Sequence, residues 1–216
     1  MNTQYARLQM VNQQVRGWNV YNEDVLAMLR ELPREQFVPA GFETLAFADT
    51  AIPIGHGEYM MTPTIEGRVL QALGLDGDEK VLEIGTGSGF LTACLATLAD
   101  HVTSVDIHAD FVEAAATRLE DAEIRNVELL QMDATQELPD GTFDAIAVTG
   151  SIETFDPRYV EALNSQGRLF VVTGSSPAME AKLIERTEEH DWHSQSLFET
   201  DLAPLVHGAM PPQFSF

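Results

Sequence analysis

Val81-Leu82-Glu83-Ile84-Gly85-Thr86-Gly87-Ser88-Gly89-Phe90 is the stretch whose reading decides the fold. A short apolar run, broken once by an acid, delivers the chain into three glycines spaced by single residues. A helix-compatible run over residues 90–98 comes immediately after. Strand, tight turn and helix in that order open an α/β unit. Glycines suit a turn that needs unusual dihedrals and a backbone that a ligand must approach closely. In a doubly wound sheet the ligand sits at the carboxyl ends of the strands, where this turn lies.

Downstream the same alternation continues. His101-Val102-Thr103-Ser104-Val105 reads as a second strand, followed by a helix over residues 110–120 with Phe111, Ala115 and Leu119 on one face. Val127-Glu128-Leu129-Leu130, Ala145-Ile146-Ala147-Val148 and Leu169-Phe170-Val171-Val172 supply three more strands. Between the last two, Asp156 as cap and Pro157 at the first helical position open a short helix. This pattern predicts an α/β fold with a mostly parallel sheet covered by helices on both faces.

Upstream, the first 75 residues read as helical with punctuation. Asn22 caps a helix whose apolar positions Val25, Leu26, Met28, Leu29 and Leu32 recur at helical spacing, and Pro33 and Pro39 end regular helix beyond it. Residues 47–64, with Pro53, Gly55, Gly57 and Pro63, are expected to be loop. The tail is ambiguous. Residues 179–190 suit either a charged amphipathic helix or one strand of a hairpin turning near Glu189-His190-Asp191, and residues 194–205 are more strand-like.

A glycine turn is a weak signal alone, so its details must discriminate. A nicotinamide or flavin site wants glycines at the first, third and sixth positions, but here the fifth is Gly89 and the sixth is Phe90. A P-loop needs Gly-Lys-Ser/Thr, and the turn contains no lysine. Glu83, just before the turn, would repel a pyrophosphate but suits the ammonium and sulfonium of S-adenosylmethionine. Asp106 ends the second strand, where a carboxylate accepts ribose hydroxyl hydrogens; its bland alternative is a cap for the next helix. Asp133 comes just after the third strand and suits the adenine amino group, with a simple turn aspartate as the alternative. The expected cofactor contacts are Glu83, Ile84, Gly85, Thr86, Gly87, Ser88, Gly89, Asp106, Ile107, Asp133, Ala134 and Thr149.

Bulk properties narrow the partners. Twelve basic against 34 acidic residues leave a net charge of −22, which repels phosphate backbones and anionic lipid. Neither nucleic acid nor membrane is expected as a partner. Scattered acids with only two lysines, Lys80 and Lys182, suit solubility in salty surroundings. No apolar run approaches the roughly 20 residues that span a bilayer. Met1-Asn2-Thr3-Gln4-Tyr5 lacks a charged head followed by an apolar stretch, so a cytoplasmic location is expected. Cys94, the single cysteine, sits in an apolar run and reads as core. The six histidines show no metal-site spacing, and His56 reads as a solvated loop residue with pocket lining as the rival. Ser88 lacks the strand-turn-helix setting of a hydrolase nucleophile.

Beyond the cofactor loop, the chain resembles the protein-L-isoaspartate O-methyltransferase family over nearly its whole length. The carrying segments are Arg16-Gly17, Val25-Leu26 with Met28, Pro33-Arg34-Glu35, Phe37-Val38-Pro39, and Asp49 with Ile52-Pro53-Ile54-Gly55 and Gly57. The cofactor loop, Phe143-Asp144-Ala145-Ile146, Gly167-Arg168-Leu169 and Pro204-Leu205-Val206 complete them. The Pro-Arg-Glu-x-Phe-Val-Pro string is more specific than any glycine loop.

The resemblance implies a Rossmann-like methyltransferase sheet in one domain of residues 1–216. Residues 1–75 would form a helical cap and substrate loop, 76–173 the cofactor-binding core, and 174–216 an antiparallel C-terminal strand pair. It implies S-adenosylmethionine as cofactor and the carboxylate of L-isoaspartyl residues in damaged proteins as acceptor. His56, Gly57, Glu58, Tyr59, Met61, Pro204, Leu205 and Val206 would shape the acceptor pocket. One departure stands out: Met61 occupies the position of the family's active-site serine, and methionine cannot donate a hydrogen bond. Thr62, one residue later, is the candidate replacement. Two other readings stay open: the same build with another carboxylate or small-molecule acceptor, and a cofactor-binding protein without catalysis.

Overall fold

The computed structural model describes residues 3–188 and 191–208. Met1 and Asn2, the expected turn residues Glu189 and His190, and positions 209–216 lie outside the described residues. In sequence order the sheet strands are β3 (Lys80–Ile84), β4 (His101–Asp106), β5 (Val127–Gln131), β6 (Phe143–Ile152), β7 (Leu163–Ser175), β8 (Ala178–Arg186) and β9 (Trp192–Thr200), preceded by a separate pair, β1 (Ile52–Gly55) and β2 (Glu58–Met60). Spatially they run β5-β4-β3-β6-β7-β8-β9. Pairing is parallel from β5 through β7 and antiparallel between β7, β8 and β9. The tail is therefore a strand hairpin, not a helix. The strand order reverses between β3 and β6, which opens a crevice at their carboxyl ends.

Both sheet faces are covered, and the period-two alternation of the strands sorts residues between them. Val81, Val102, Ala145, Phe170 and Val172 pack into one apolar cluster with α2 (Glu23–Glu31), α3 (Pro63–Leu73) and α4 (Phe90–Leu98). Leu82, Ile84, Val105, Ile146 and Val171 pack into a second with Tyr159 and Val160 of the short helix α6 (Arg158–Glu161). Cys94 is fully buried in the first cluster. Ahead of α6, Asp156 Oδ1 accepts from Arg158 N at 3.0 Å.

The cap joins the core without a break. It begins with α1 (Thr3–Gln9) and a π-helical turn, Met10–Val15. Asn22 caps α2 by accepting from Asp24 N and Val25 N. Gly67 brings α3 close to this turn: a Cβ there would lie 2.6 Å from Val15 Cγ1.

Residues 47–64 are more regular than their glycines and prolines suggest. The two-stranded ribbon β1–β2 tolerates Pro53 because each strand has an open edge. His56 (φ 52°) and Gly57 (φ 83°) make its turn. Pro63 opens α3 instead of interrupting the chain, with Thr62 as N-cap. Composition misleads here because the same residues that break long elements also build turns and helix starts.

Candidate active site

The switch-point crevice holds a cavity of about 480 Å³. Its rim is the glycine turn between β3 and α4. Gly85 N donates to Val105 O at 2.8 Å, and Thr149 Oγ1 reaches both Ile84 O and Gly85 O at 2.9 Å. A Cβ on Gly85 would collide with Thr149 Oγ1, and one on Gly87 would lie 3.2 Å from Ile54 Cδ1. Gly85, Gly87 and Gly89 all have positive φ, the region that costs a side chain most.

Glu83 forms the floor. It is fully buried, and its Oε2 accepts from Ser104 Oγ at 2.6 Å and from Thr92 Oγ1. Thr86 Oγ1 lies 2.6 Å from Ser104 Oγ and extends the chain to the turn. Glu83 Oε1 has no hydrogen-bond partner. Burial pushes the carboxyl up to about 8 against its two hydroxyl bonds, and the Asp106 charge adds to the rise. Although Glu83 borders the cavity, none of its surface is open to water. The carboxyl bounds the cavity, and its burial favours the neutral acid.

Asp106 sits at the tip of β4. Its Oδ2 accepts from Gly87 N and its Oδ1 from His108 N, both at 2.9 Å. It is not the side-chain cap of α5 (Ala109–Asp121), whose N-cap residue is His108. Asp133 Oδ1 accepts from Thr135 N and Oγ1, while its Oδ2 takes His207 Nδ1 at 2.9 Å. Burial raises this carboxyl, but Thr135 and His207 together bring it below its ordinary value.

The opposite wall is Glu58, Tyr59, Met61 and Thr62, with Pro204, Leu205 and Val206 above. The last three form a strap along β6: Leu205 N donates to Ser151 O at 2.9 Å and Ser151 N to Ala203 O at 2.8 Å. Gly150 permits this approach, since a Cβ there would lie 2.8 Å from Leu205 Cδ2. Thr62 Oγ1 accepts from Ile65 N at 3.4 Å and lies 2.9 Å from Thr64 Oγ1, which donates to Asp49 Oδ1 at 2.7 Å.

Of the residues expected from sequence at the cofactor, Glu83, Ile84, Gly85, Thr86, Gly87, Ser88, Asp106, Ile107, Asp133, Ala134 and Thr149 all line this cavity. Gly89 does not; it starts α4, and a Cβ there would lie 3.0 Å from Ala115 Cβ. His56 and Gly57 also fall outside the lining. The His56 ring, 43% exposed, bonds Asp110 Oδ2 at 2.9 Å.

Sequence reasoning missed Glu66 and His207, and gave no structural role to Arg34. Arg34, fully buried, lies over the Phe90 ring and donates to Ala46 O, Met61 O and Glu66 Oε1 at 2.8–3.0 Å. It pins the loop at Met61. Burial pushes the Glu66 carboxyl up to about 8, with Arg34 pulling it down. Glu66 borders the cavity. Charged residues in a helical cap give no periodic signal of such a role.

A mostly parallel sheet with a glycine turn and strand-end acids around one switch-point cavity is the arrangement of a Rossmann-like enzyme with an adenosine-type cofactor. The model of the protein-L-isoaspartate(D-aspartate) O-methyltransferase family matches residues 6–210, and the chain belongs to that family. It is 34% identical to protein-L-isoaspartate O-methyltransferase 2 of Pelobacter propionicus, over 95% of this chain and 92% of that one. It is 33% identical to the Aliivibrio salmonicida protein-L-isoaspartate O-methyltransferase, over 94% and 98%. Among solved structures, a Plasmodium falciparum protein assigned to the same activity and bound to S-adenosyl-L-homocysteine superposes with a TM-score of 0.79. That likeness spans 93% of this chain and 98% of the other at 19% identity, and it speaks to the fold. No helix among the described residues is long and apolar enough to cross a membrane.

Proposed function

We propose that the chain is an S-adenosylmethionine-dependent O-methyltransferase that methylates the carboxylate of L-isoaspartyl residues in damaged proteins, acting in the cytoplasm. The observation that carries this reading is the single cavity bounded on one side by the glycine turn with Glu83, Asp106 and Asp133, and on the other by Met61, Thr62 and the strap. The buried, unpartnered Glu83 Oε1 and the glycine cradle that a Cβ would fill fit a cationic adenosyl ligand.

Bound S-adenosylmethionine supplies an electrophilic methyl group on a sulfonium. Asp106 would hold the ribose hydroxyls with the acceptor capacity left after its two backbone bonds, and Asp133, bonded to His207, would receive the adenine amino group. Glu83, when ionised, would stabilise the cofactor's positive charge. An acceptor carboxyl titrates near ~4, so it is ionised at neutral pH and no general base is required. The protein's task is to align acceptor oxygen and methyl group and to exclude water. Positioning of this kind supplies roughly 7–11 kcal/mol of barrier reduction. Among the described residues the lining contains no lysine or arginine to pair with an acceptor carboxylate.

Met61 and Thr62 favour a second reading, a different carboxylate acceptor. Met61 offers no donor, and the Thr62 hydroxyl already serves a helix cap and the link to Thr64. Incubation with labelled cofactor and paired isoaspartyl and aspartyl peptides decides between them. Methylation of the first alone supports repair. Tight S-adenosylhomocysteine binding without either product sinks the isoaspartyl assignment and leaves the cofactor site standing.

A further inference from the structure

At the edge of the cavity, His108, which lines it, meets His56 and Asp110, which do not. Ligating atoms of His56, His108 and Asp110 all lie within 4.8 Å of one another. The two imidazoles stack with centroids 4.0 Å apart and planes 8° from parallel, and Phe111 closes edge-on against both. Asp110 presents both oxygens to His56 Nε2, at 3.1 and 2.9 Å. His108 Nε2 is buried and has no hydrogen-bond partner. Unpaired buried ring nitrogens are costly, so this one calls for a ligand.

We propose that His56, His108 and Asp110 form a binding site for one divalent transition-metal ion. Two imidazoles and a carboxylate suit Zn²⁺, Co²⁺, Ni²⁺ or Cu²⁺ better than Mg²⁺ or Ca²⁺, which prefer all-oxygen shells. Three protein ligands leave a position for water. Lone pairs of stacked rings run parallel and cannot meet at one ion, so one ring must turn; His56, exposed at the tip of its hairpin, is free to do so. The bound ion cross-links the β1–β2 turn to the start of α5, elements 52–54 positions apart in the chain. This site does not depend on the methyltransferase reading.

The test is titration of the full chain with Co²⁺, without cofactor or acceptor, monitored by visible d–d absorption, with Zn²⁺ competing. One equivalent of tetrahedral or five-coordinate absorption, displaced by Zn²⁺ and accompanied by a higher melting temperature, is the expected result. Asp110→Asn is isosteric at an exposed position, so it keeps the fold; it and His108→Ala should each weaken binding at least roughly tenfold. His193→Ala and His101→Ala should leave binding unchanged. No absorption, or binding that survives His56→Ala/His108→Ala, overturns the proposal.

Discussion

The Asp106 carboxylate accepts the Gly87 backbone N–H at 2.9 Å. One acid at the end of β4 thus braces the glycine turn at the end of β3, so the proposed ribose contact and the loop's shape share a single side chain. Asp106→Ala removes both the proposed ribose contact and the brace. Hydrogen bonds to a charged group contribute about 1.5–3 kcal/mol, so S-adenosylhomocysteine affinity should fall by roughly ten- to a hundredfold in calorimetry. Asp106→Asn should lose less, because its amide oxygen can still receive Gly87 N. Affinity unchanged in both variants would remove Asp106 from the site.

Glu83 makes stability and binding respond oppositely to pH. Its folded value, raised to about 8 from an ordinary 4.5, means the fold favours the neutral acid. That contribution is complete below the ordinary carboxyl value and is lost as pH rises through 8; Glu66 acts in the same window. Glu83→Gln mimics the neutral acid and should flatten, without abolishing, the decline in melting temperature between about pH 5 and pH 8. Cofactor affinity should rise over that window in the parent and not in Glu83→Gln, since a cation favours the ionised acid. Parallel profiles for the two proteins would contradict this.

Arg34 and Glu66 form a fully buried ion pair at 2.9 Å. Removing one partner of such a pair costs about 3–5 kcal/mol, because the other is left buried and uncompensated. Arg34→Met should show that loss in urea unfolding most fully above pH 8, where Glu66 is ionised beside Arg34, with partial recovery in Arg34→Met/Glu66→Gln. The double variant also lacks the Arg34 bond to Met61 O, so the Michaelis constant for the acceptor should remain raised after stability returns.

If the acceptor is an isoaspartyl carboxylate, the wall at Met61 lacks a donor. Met61→Ser supplies one and should raise kcat/KM for an isoaspartyl peptide by about tenfold, the low end of a hydrogen bond to charge. Thr62→Val should cost about 1 kcal/mol of stability through the lost cap of α3. Peptide kinetics and thermal melts check both. No gain with Met61→Ser would separate this position from the family serine.

A net charge of −22 repels an anionic acceptor. Salt screens that repulsion, with a Debye length falling from about 10 Å at 0.1 M to about 3 Å at 1 M. The Michaelis constant for an acidic isoaspartyl peptide should therefore drop as salt rises, whereas that for a neutral-flanked peptide should change less. Steady-state kinetics at the two salt levels give the comparison.

The legible parts of the molecule were those with local causes. Strand, glycine turn and helix at residues 80–98, and the strand-end positions of Asp106 and Asp133, arise from periodicity and from residues a few positions apart. The hairpin at residues 52–60 was hidden because its glycines and prolines also describe a loop. His207 on Asp133 and Arg34 on Glu66 were hidden because 74 and 32 positions separate the partners.

By itself the amino-acid sequence determined the alternation of elements, the glycine turn and the acidic surface, since these depend on residue type and short-range spacing. Tertiary structure alone decided that Glu83 is fully buried in the cavity floor, that Arg34 ties the cap to the Met61 loop, and that His56, His108 and Asp110 meet. Burial and contact between distant segments are properties of the packed chain, and no local pattern encodes them.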